Sequence, residues 1–402
     1  MSLGFTFPLS LRSGKKFLAN FASVPPACKE PIKKITVFIS GESIIIWGLF
    51  IGPINKAKRT LMNKEPLISI LTPAYNQGLY MEQTIRSVLN QTYRNWEWII
   101  IDDGSTDNTK DIVNSHKDER IHYYYQEHGG IDSICATHNK ALGLSRGEFV
   151  APLDGDDLWP EYKLDKQLEG FLDDAVVLSY GGCCLIAAGG KKVDYVRVPR
   201  DERISRNDPV GAALQNFFLK ANSFIYNPTV LIRRSALERI GGFVAYRGLA
   251  HDFPTWCRLS LEGKFAPVLS CLGYWRKHAN SITFHNAGYR FENKIQFIKD
   301  FVELYEKKFE SMGGSLTKEK IYLCLDQRLQ SFLEHFPYDR AMLLANMGMF
   351  QDAEEEFGKF LKKNASVKNR GINYLFLISR LIHYDIVNPS RRLKEKFARE
   401  SI

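Results

Sequence analysis

Two groups of acidic residues each follow a run of apolar residues, and they are the part of this sequence best suited to carry chemistry. Ile99–Ile101 runs into Asp102 and Asp103, and Phe149–Leu153 runs into Asp154–Asp157. An open α/β sheet binds its ligands outside the carboxyl ends of its strands. Two acidic groups at one such edge would form a site for sugar hydroxyls, a base edge or a metal-bound phosphate.

The second acidic group contains an Asp-x-Asp pattern. Side chains two residues apart in an extended chain point the same way, so Asp154 and Asp156 can converge on one divalent ion and a ribose. Mg²⁺ and Mn²⁺ accept such oxygen ligands together with substrate phosphates. We predict Asp156 as the direct ligand, with Asp154 nearer the ribose or a metal-bound water; a solvated acidic turn is the alternative. A calcium loop is excluded, because Leu158 and Trp159 stand where an EF-hand needs a ligand and a glycine.

Strands and helices alternate through the segment that carries both acidic groups. The apolar runs predict strands at Leu67–Leu71, Trp98–Ile101, Ile121–Tyr125 and Phe149–Leu153. Between and after them, apolar residues recur at helical spacing, for example at Met81, Ile85, Val88 and Leu89. This alternation is typical of β-α-β units, so the sequence predicts an α/β fold with a mixed, mainly parallel sheet flanked by helices.

The pattern changes after Val176. Further predicted elements are a hairpin of Val176–Ile186 and Val193–Val198, a strand at Asn227–Arg233, a helix at Ala250–Glu262 and a strand at Val268–Trp275. From about Tyr289 the predictions are all helical: a helix from Ile295 to Phe309, a helix at Lys318–His335, a helical hairpin at Ala341–Asn364 that turns at Met349–Asp352, and a helix at Leu375–Ile382.

Several blocks of this sequence resemble the nucleotide-binding half of the family 2 glycosyltransferases, which have the GT-A fold. They are Ile68–Asn76, Ser87–Tyr93, Asp102–Asp107, Asn139, Gly147–Phe149 and Leu153–Trp159, and a looser match continues to about Thr283. The resemblance implies a GT-A domain at residues 65–285, with a nucleotide-binding half at 65–158 and an acceptor half at 159–285. A basic extension at residues 1–64 and a helical region at 286–402 flank that domain.

The resemblance also implies a set of donor-binding residues. They are Thr72, Pro73, Tyr75, Asn76, Asp103, Asn139 and Asp154. Thr72 and Asp103 end two strands, where a hydroxyl or amide and a carboxylate can read a pyrimidine edge, and Asp103 is expected to accept from the base N–H. The alternative for Asp103 is a structural role, as part of a tight turn and a helix cap.

A general base is implied after the Gly241–Phe243 block. The family has an Asp there, usually preceded by Glu, and this chain has Asp252 preceded by His251. A carboxylate at a helix start is stabilised as the anion by backbone N–H groups. Asp252 is therefore the expected catalytic base, and a helix cap is the alternative. His138 stands where the family often has Arg, either near a phosphate or packed inside the helix.

Two further residues are candidates for the diphosphate or the metal. The stretch Tyr274–His278 resembles a Tyr-x-Arg-x-His pattern beyond the base helix, so Arg276 or His278 could touch either group; surface packing is the alternative. Asn227-Pro228-Thr229 is expected on the acceptor side.

These residues together predict a metal-dependent inverting glycosyltransferase, with Mn²⁺ or Mg²⁺ as cofactor. Its donor would be a nucleotide-diphosphate sugar, and its acceptor a saccharide or lipid-linked hydroxyl in surface polysaccharide or glycolipid assembly. The chain has no Gln-x-x-Arg-Trp motif and no array of apolar spans, which argues against a processive synthase. The alternatives are an inactive nucleotide-binding protein of the same fold and a receiver-like signalling module. The receiver would need an Asp at the next strand end, where Tyr125-Gln126 stands.

Positive charge is concentrated at the start of the chain. Residues 1–64 carry ten Lys and Arg against Glu30 and Glu42, whereas the net charge of the whole chain is +9. This distribution excludes a uniformly basic nucleic-acid binder and favours contact with an anionic membrane surface. The apolar stretch Ile35–Ile54 is about long enough to span a bilayer, but Glu42 and Pro53 favour a loosely packed extension.

The seven cysteines are scattered without a Cys-x-x-Cys pair, which argues against a zinc cage or a disulfide framework. A cytoplasmic protein, peripheral on the inner face of the membrane, is expected.

Overall fold

The computed structural model describes residues 65–130, 133–247, 249–278, 281, 287–307, 317–346 and 355–359, together with the backbone of four short strands before residue 64. Residues 287–290 and 333–346 are described by their backbone alone. The chain divides into two compact units, Met1–Asn63 and Lys64–Ile402.

The first unit contains two antiparallel strand pairs. β1 (Pro8–Ser10) pairs with β2 (Lys16–Leu18), and β3 (Ile35–Ile39) pairs with β4 (Glu42–Ile46). The apolar stretch considered as a spanning helix is therefore a strand pair over residues 35–46. Its Ile- and Val-rich composition explains this, because β-branched side chains fit a pleated strand better than a helix. Within the described part of the chain, no helix combines the length and apolar character needed to cross a bilayer.

The second unit is built on an eight-stranded sheet. Its strands are β5 (Ile68–Ala74), β6 (Trp96–Asp103), β7 (Ile121–Gln126), β8 (Phe149–Pro152), β9 (Val176–Ala187), β10 (Lys192–Val196), β11 (Leu231–Arg233) and β12 (Lys264–Lys277). They lie in the order β10-β9-β11-β8-β5-β6-β7, and β12 also pairs with β9. The β8-β5-β6-β7 block and the β9-β12 pair are parallel, whereas β10 and β11 are antiparallel to their neighbours. The predicted mixed, mainly parallel sheet is confirmed.

Helices cover both faces of this sheet. They are α1 (Met81–Leu89), α2 (Thr109–Ser115), α3 (Ile134–Leu144), α4 (Lys163–Leu168), α5 (Glu202–Arg206), α6 (Ala212–Lys220), α7 (Arg234–Arg239), α8 (Asp252–Leu259), α9 (Ala287–Leu304) and α10 (Lys318–Asn346), and residues 355–359 are also helical. Strand β6, between β5 and β7, is buried along its whole length, with Trp98 and Ile100 in one core and Ile99 and Ile101 in the other. Burial on both faces explains why it reads as one apolar run.

Two predicted elements differ from the structure. Asn227–Thr229 is a single 3₁₀ turn, and the strand begins only at Leu231, because Pro228 fixes its own φ and lacks an N–H for the ladder. The predicted helix Lys318–His335 continues to Asn346, so the start of the predicted hairpin belongs to that helix. Strong helix formers in Ala341–Ala345 favour this continuation. The predicted turn at Met349–Asp352 and the predicted helix Leu375–Ile382 lie outside the described residues.

Candidate active site

The acidic loop, defined here as residues 153–158 between β8 and α4, is held from the neighbouring strand and helix. The Thr72 hydroxyl on β5 donates to the Leu153 carbonyl at 2.6 Å and accepts from the Trp98 indole N–H at 2.9 Å. Thr84 on α1 places its hydroxyl 2.9 Å from the Asp157 carbonyl. The Thr72 hydroxyl is fully buried and bonded within the protein, where it supports the acidic loop. A contact of Thr72 with a base, through its hydroxyl or its backbone amide, stays a prediction.

Arg276 on β12 holds the same loop from the other side. Its Nε donates to the Asp156 carbonyl at 2.8 Å, and its two terminal nitrogens donate to Ala188 and Gln83 at 2.7 and 2.9 Å. The side chain is fully buried. Because the side chain is buried, surface packing does not describe it, and a contact of Arg276 with a diphosphate or a metal stays a prediction. Arg276 joins the acidic loop to α1 and β12.

The carboxyl groups of the acidic loop are crowded and mostly buried. Burial and the charge of Asp156 raise the pKa of Asp154 to about 7, against a bond from the Asn227 side-chain N–H at 3.1 Å. Burial raises the pKa of Asp157 well above its usual range, and the Asp157 Oδ2 atom has no hydrogen-bond partner among the described residues. This environment disfavours further negative charge and would be relieved by a cation.

His278 lies against the acidic loop. Its Nε2 lies 2.8 Å from Oδ2 of Asp156, and both side chains are largely buried. Within the described residues, no group of three or more His, Cys, Asp or Glu side chains is arranged to hold a metal by itself. Asp154, Asp156 and His278 nevertheless fit a divalent ion that completes its shell with substrate phosphates and water, as Mg²⁺ commonly does. The excess negative charge in the loop supports this fit.

Asp252 lies near this group. It is the first residue of α8, with His251 at the N-cap position, so Asp252 is not itself the cap. Its charge contributes to raising the pKa of Asp154, after burial and Asp156. It also contributes to the pKa of about 12 at Tyr226, which is due mainly to burial. The structure therefore brings Asp154, Asp156 and Asp252 into one electrostatic neighbourhood.

Asp103 ends β6, and β5 lies between that strand and β8, so its carboxylate leaves the same edge of the sheet as the acidic loop. It accepts from Gln126 Nε2 at 2.6 Å and from the backbone N–H of Gly129 at 3.2 Å, and His128 Nδ1 lies 3.0 Å away. The alternative role in a tight turn belongs to its neighbour Asp102, which accepts from the Ser105 N–H at 2.7 Å, and the N-cap position of α2 is occupied by Asn108.

Tyr75 and Asn76 contact residues that surround Asp103. Tyr75 is 42% exposed and stacks on His128, with ring centroids 3.9 Å apart. Asn76 accepts from the Thr106 N–H at 2.8 Å, which fastens the loop after Asp103 to the end of β5. Pro73, within β5, pairs with Ile101 of β6. His128 and Gln126 were not predicted as site residues; the available signal was a polar run directly after the β7 strand.

Asn139 has a structural role in the fold. Its side-chain oxygen accepts from the Phe243 N–H and its side-chain nitrogen donates to the Phe243 carbonyl, both at 2.8 Å. Both ends of the side-chain amide are bonded to the turn before α8, and a contact of Asn139 with the donor stays a prediction. Gly242 in that turn has φ +92°, and a Cβ there would lie 2.5 Å from the Asn139 oxygen. Asn139 thus fixes α3 to the segment that leads to Asp252.

The two histidines that replace the expected residues of the family meet in the core. His138 is fully buried on α3, which excludes its approach to a phosphate, and its ring centroid lies 3.7 Å from that of His251. Burial lowers the pKa of His138 to about 4, and burial together with His138 lowers the pKa of His251 well below its usual range. Asn227, expected on the acceptor side, lies between His251 and Asp154.

The chain matches a protein-family model and several known proteins. The Glycosyl transferase family 2 model matches residues 69–241. The Bacillus subtilis (strain 168) glycosyltransferase TuaG, assigned by name to teichuronic acid biosynthesis, is 35% identical over 227 residues, 56% of this chain and 84% of the relative. The Escherichia coli UDP-Glc:alpha-D-GlcNAc-diphosphoundecaprenol beta-1,3-glucosyltransferase WfgD is 38% identical over 115 residues, 29% of this chain and 45% of that protein. The crystal structure of S. aureus TarS 1–349 with UDP-GlcNAc has a TM-score of 0.47 and 18% identity, and covers 74% of this chain and 81% of that chain.

Proposed function

The chain belongs to glycosyl transferase family 2 and is a glycosyltransferase, and on that premise we propose that it transfers a sugar from a nucleotide-diphosphate donor to an acceptor hydroxyl, with inversion at the anomeric carbon. The observation that carries this proposal is the shared neighbourhood of Asp154, Asp156 and Asp252, in which the pKa of Asp154 is raised by burial, by Asp156 and by Asp252. Perturbed carboxylates gathered in this way are typical of functional sites. Family membership also sets aside the receiver-like alternative.

Donor binding in this proposal uses the edge of the sheet near β6. The Asp103 carboxylate would accept from a base N–H, and Tyr75 offers a partly exposed ring beside it. Asn76 would act indirectly, through its bond to the loop that follows Asp103.

Asp154, Asp156 and His278 would hold the divalent ion, as GT-A glycosyltransferases generally use one. When bound, Mn²⁺ or Mg²⁺ would stabilise the negative charge of the departing diphosphate. The short contact between His278 and Asp156 keeps two of these side chains close together.

Asp252 would act as the general base on the acceptor. Backbone N–H groups at the start of α8 favour its anionic form. The carboxylate takes the proton of the acceptor hydroxyl while the acceptor oxygen forms a bond to the anomeric carbon. The bond between that carbon and the diphosphate oxygen breaks, and its electron pair leaves with the diphosphate.

The relatives support a setting in surface polysaccharide or glycolipid assembly. One is assigned by name to teichuronic acid biosynthesis, and another is named for a diphosphoundecaprenol-linked acceptor. A saccharide or lipid-linked acceptor is therefore proposed here too. The basic residues of the first 64 positions would attract the chain to anionic lipid on the cytoplasmic face of a membrane.

Calorimetric titration with UDP and with GDP, each with and without Mn²⁺, tests the proposal. We expect one of the two to bind in a metal-dependent way, and Asp156→Asn to weaken that binding at least tenfold, because a metal ligand is lost. Asp174→Asn, an exposed acid distant in sequence, is the matched control. If neither nucleotide binds in a metal-dependent way, the proposed function is wrong.

A panel of nucleotide sugars then separates an active enzyme from an inactive nucleotide-binding protein. The active enzyme is expected to hydrolyse at least one donor slowly in the absence of acceptor. Metal-dependent binding without turnover of any donor, with or without saccharide acceptors, would favour the inactive protein.

A further inference from the structure

Asn227 is the residue through which the two halves of the candidate site are joined. Its side-chain nitrogen donates to Asp154 Oδ2 at 3.1 Å, and its side-chain oxygen lies 3.3 Å from His251 Nε2. Asn227 itself is 9% exposed, and His251 is 4% exposed. The amide therefore connects the acidic loop after β8 to the residue that precedes the proposed base.

The chemistry of these groups fixes the direction of both hydrogen bonds. The form of Asp154 that would hold a cation is the ionised carboxylate, which only accepts, so in that form the NH₂ group of Asn227 must face Asp154 and the Asn227 oxygen must face His251. That oxygen can only accept, so His251 Nε2 must carry a hydrogen. The other nitrogen, Nδ1, is buried without a hydrogen-bond partner among the described residues. His251 is accordingly a neutral imidazole with its proton on Nε2.

His138 supports this arrangement from α3. Its Nδ1 lies 3.0 Å from the Ile134 carbonyl, so that nitrogen carries the hydrogen. Its ring packs against that of His251 at a tilt of 37°, with the ring centroids 3.7 Å apart. Phe243 contacts both imidazoles, with centroid distances of 5.1 and 5.0 Å. Packing of this kind leaves the His251 ring little freedom to turn its Nε2–H away from Asn227.

We propose that His251 and Asn227 are positioning residues for the metal site: the Nε2–H of His251 orients the Asn227 amide so that its N–H, and not its oxygen, faces Asp154. A flipped amide would set an oxygen against the carboxylate, and the resulting repulsion would turn Asp154 away from the ion. This inference rests on the proposed function, because Asp154 is taken there as a ligand of the ion or of a water on it. His251 is required as a hydrogen-bond donor.

Binding of Mn²⁺ tests the proposal without relying on turnover. Free Mn²⁺ is counted by electron paramagnetic resonance in the full chain, at a saturating concentration of whichever nucleotide, UDP or GDP, binds the unaltered protein. His251→Leu removes the donor, and Asn227→Leu removes the amide; each is expected to weaken Mn²⁺ binding about tenfold. His251→Gln keeps a donor and is expected to stay within about twofold of the unaltered protein. His122→Gln, on β7, is the control for a histidine replacement elsewhere.

The double variant gives the sharpest result. If both residues act on Asp154 along one line of hydrogen bonds, His251→Leu combined with Asn227→Leu weakens Mn²⁺ binding about tenfold and not a hundredfold, since coupled residues are not additive. Thermal unfolding of each variant establishes that it is folded. The proposal would be overturned if the two leucine substitutions weakened Mn²⁺ binding additively, or if His251→Gln weakened it as much as His251→Leu does.

The tautomer of His251 is a second test that needs no folded leucine variant and no metal. Nitrogen-15 chemical shifts of the histidine side chains distinguish a proton on Nε2 from one on Nδ1, and the signal absent from His251→Gln identifies His251. A proton on Nε2 is expected. A proton on Nδ1 would refute the inference while leaving the proposed function intact, whereas a chain that binds no Mn²⁺ with either nucleotide would refute the proposed function.

Discussion

At the scale of single residues, three carboxylates of similar chemistry lie in different surroundings. Asp103 is bonded by side-chain and backbone N–H groups, Asp154 is buried and bonded to one amide, and Asp252 begins a helix. These surroundings assign the acids to different tasks, because local hydrogen bonds, burial and neighbouring charge decide which form of a carboxyl group is stable.

The role proposed for Asp252 predicts a loss of turnover without a loss of donor binding. Asp252→Asn cannot accept the acceptor proton, so kcat should fall between about a hundredfold and ten-thousandfold, the usual contribution of a general base. Donor affinity, measured by calorimetry, should change less than about twofold. Asp174→Asn is the control. A variant that keeps more than a tenth of the turnover would show that another group takes the proton.

Burial of His138 predicts a dependence of stability on pH. Its pKa is about 4 in the folded chain, where burial lowers it, and about 6.5 in an unfolded chain. Between these values the unfolded chain binds more protons, so the free energy of unfolding decreases as the pH falls from 6.5 towards 4. The slope is about 1.4 kcal/mol per pH unit for one such group, and His251 adds to it in the same direction.

Urea unfolding at pH 7 and pH 5 measures this effect. His138→Leu removes one titrating group, so its stability should decrease less between the two pH values than that of the unaltered protein, by about 2 kcal/mol. His122→Gln should leave the difference unchanged. An equal pH dependence in His138→Leu and the unaltered chain would contradict the assignment.

At the scale of elements, the turn before α8 is fastened by a single amide. Gly241 and Gly242 both have positive φ, but a Cβ at Gly241 would meet nothing within 4 Å, whereas one at Gly242 would lie 2.5 Å from the Asn139 oxygen. Gly241→Ala should therefore cost only backbone strain, about 1–2 kcal/mol. Gly242→Ala should lose more free energy of unfolding, because the same backbone strain is joined by the displacement of Asn139. Chemical unfolding of the two variants measures this difference. Equal losses of stability in the two variants would mean that the hydrogen bonds between Asn139 and Phe243 contribute little.

Arg276 holds the acidic loop in place through hydrogen bonds to three different segments of the chain. Arg276→Lys keeps the charge but loses the fork of donors, leaving buried acceptors at Asp156, Ala188 and Gln83 without their partners. We expect a loss of about 3 kcal/mol in the free energy of unfolding and weaker Mn²⁺ binding. Arg86→Lys, at a side chain that is 72% exposed, should cost less than about 0.5 kcal/mol. Similar losses in both variants would contradict the role of Arg276.

At the scale of the whole molecule, we propose that the two units have separate tasks. A chain beginning at Lys64 contains every residue of the candidate site and should keep metal-dependent nucleotide binding within about twofold. This shorter chain lacks most of the net positive charge of the full chain. It should therefore no longer sediment together with vesicles that contain phosphatidylglycerol. The full chain should bind such vesicles at low salt, release them at high salt, and ignore neutral phosphatidylcholine vesicles. Loss of nucleotide binding in the shorter chain would contradict this division.

Most of the sheet could be predicted because its signals are local. Buried parallel strands such as β6 are continuous apolar runs, and the positions of Asp103 and Asp154 at strand ends follow from the same runs. The segment around Pro228 was harder to predict, since its apolar flanks resemble a strand while the proline removes a backbone donor. The length of α10 was also missed, because the end of a helix depends on weak local preferences.

The sequence by itself determined where the acids stand along the chain and which of them end strands, because apolar periodicity depends on neighbours a few residues apart. Only the tertiary structure decided which polar side chains near those acids are already bonded within the protein. Thr72 and Leu153 are 81 residues apart, Asn139 and Phe243 are 104 apart, and Arg276 and Asp156 are 120 apart. Each of these hydrogen bonds joins segments that folding alone brings together, so no local pattern separates a side chain that binds a ligand from one that holds the site in place.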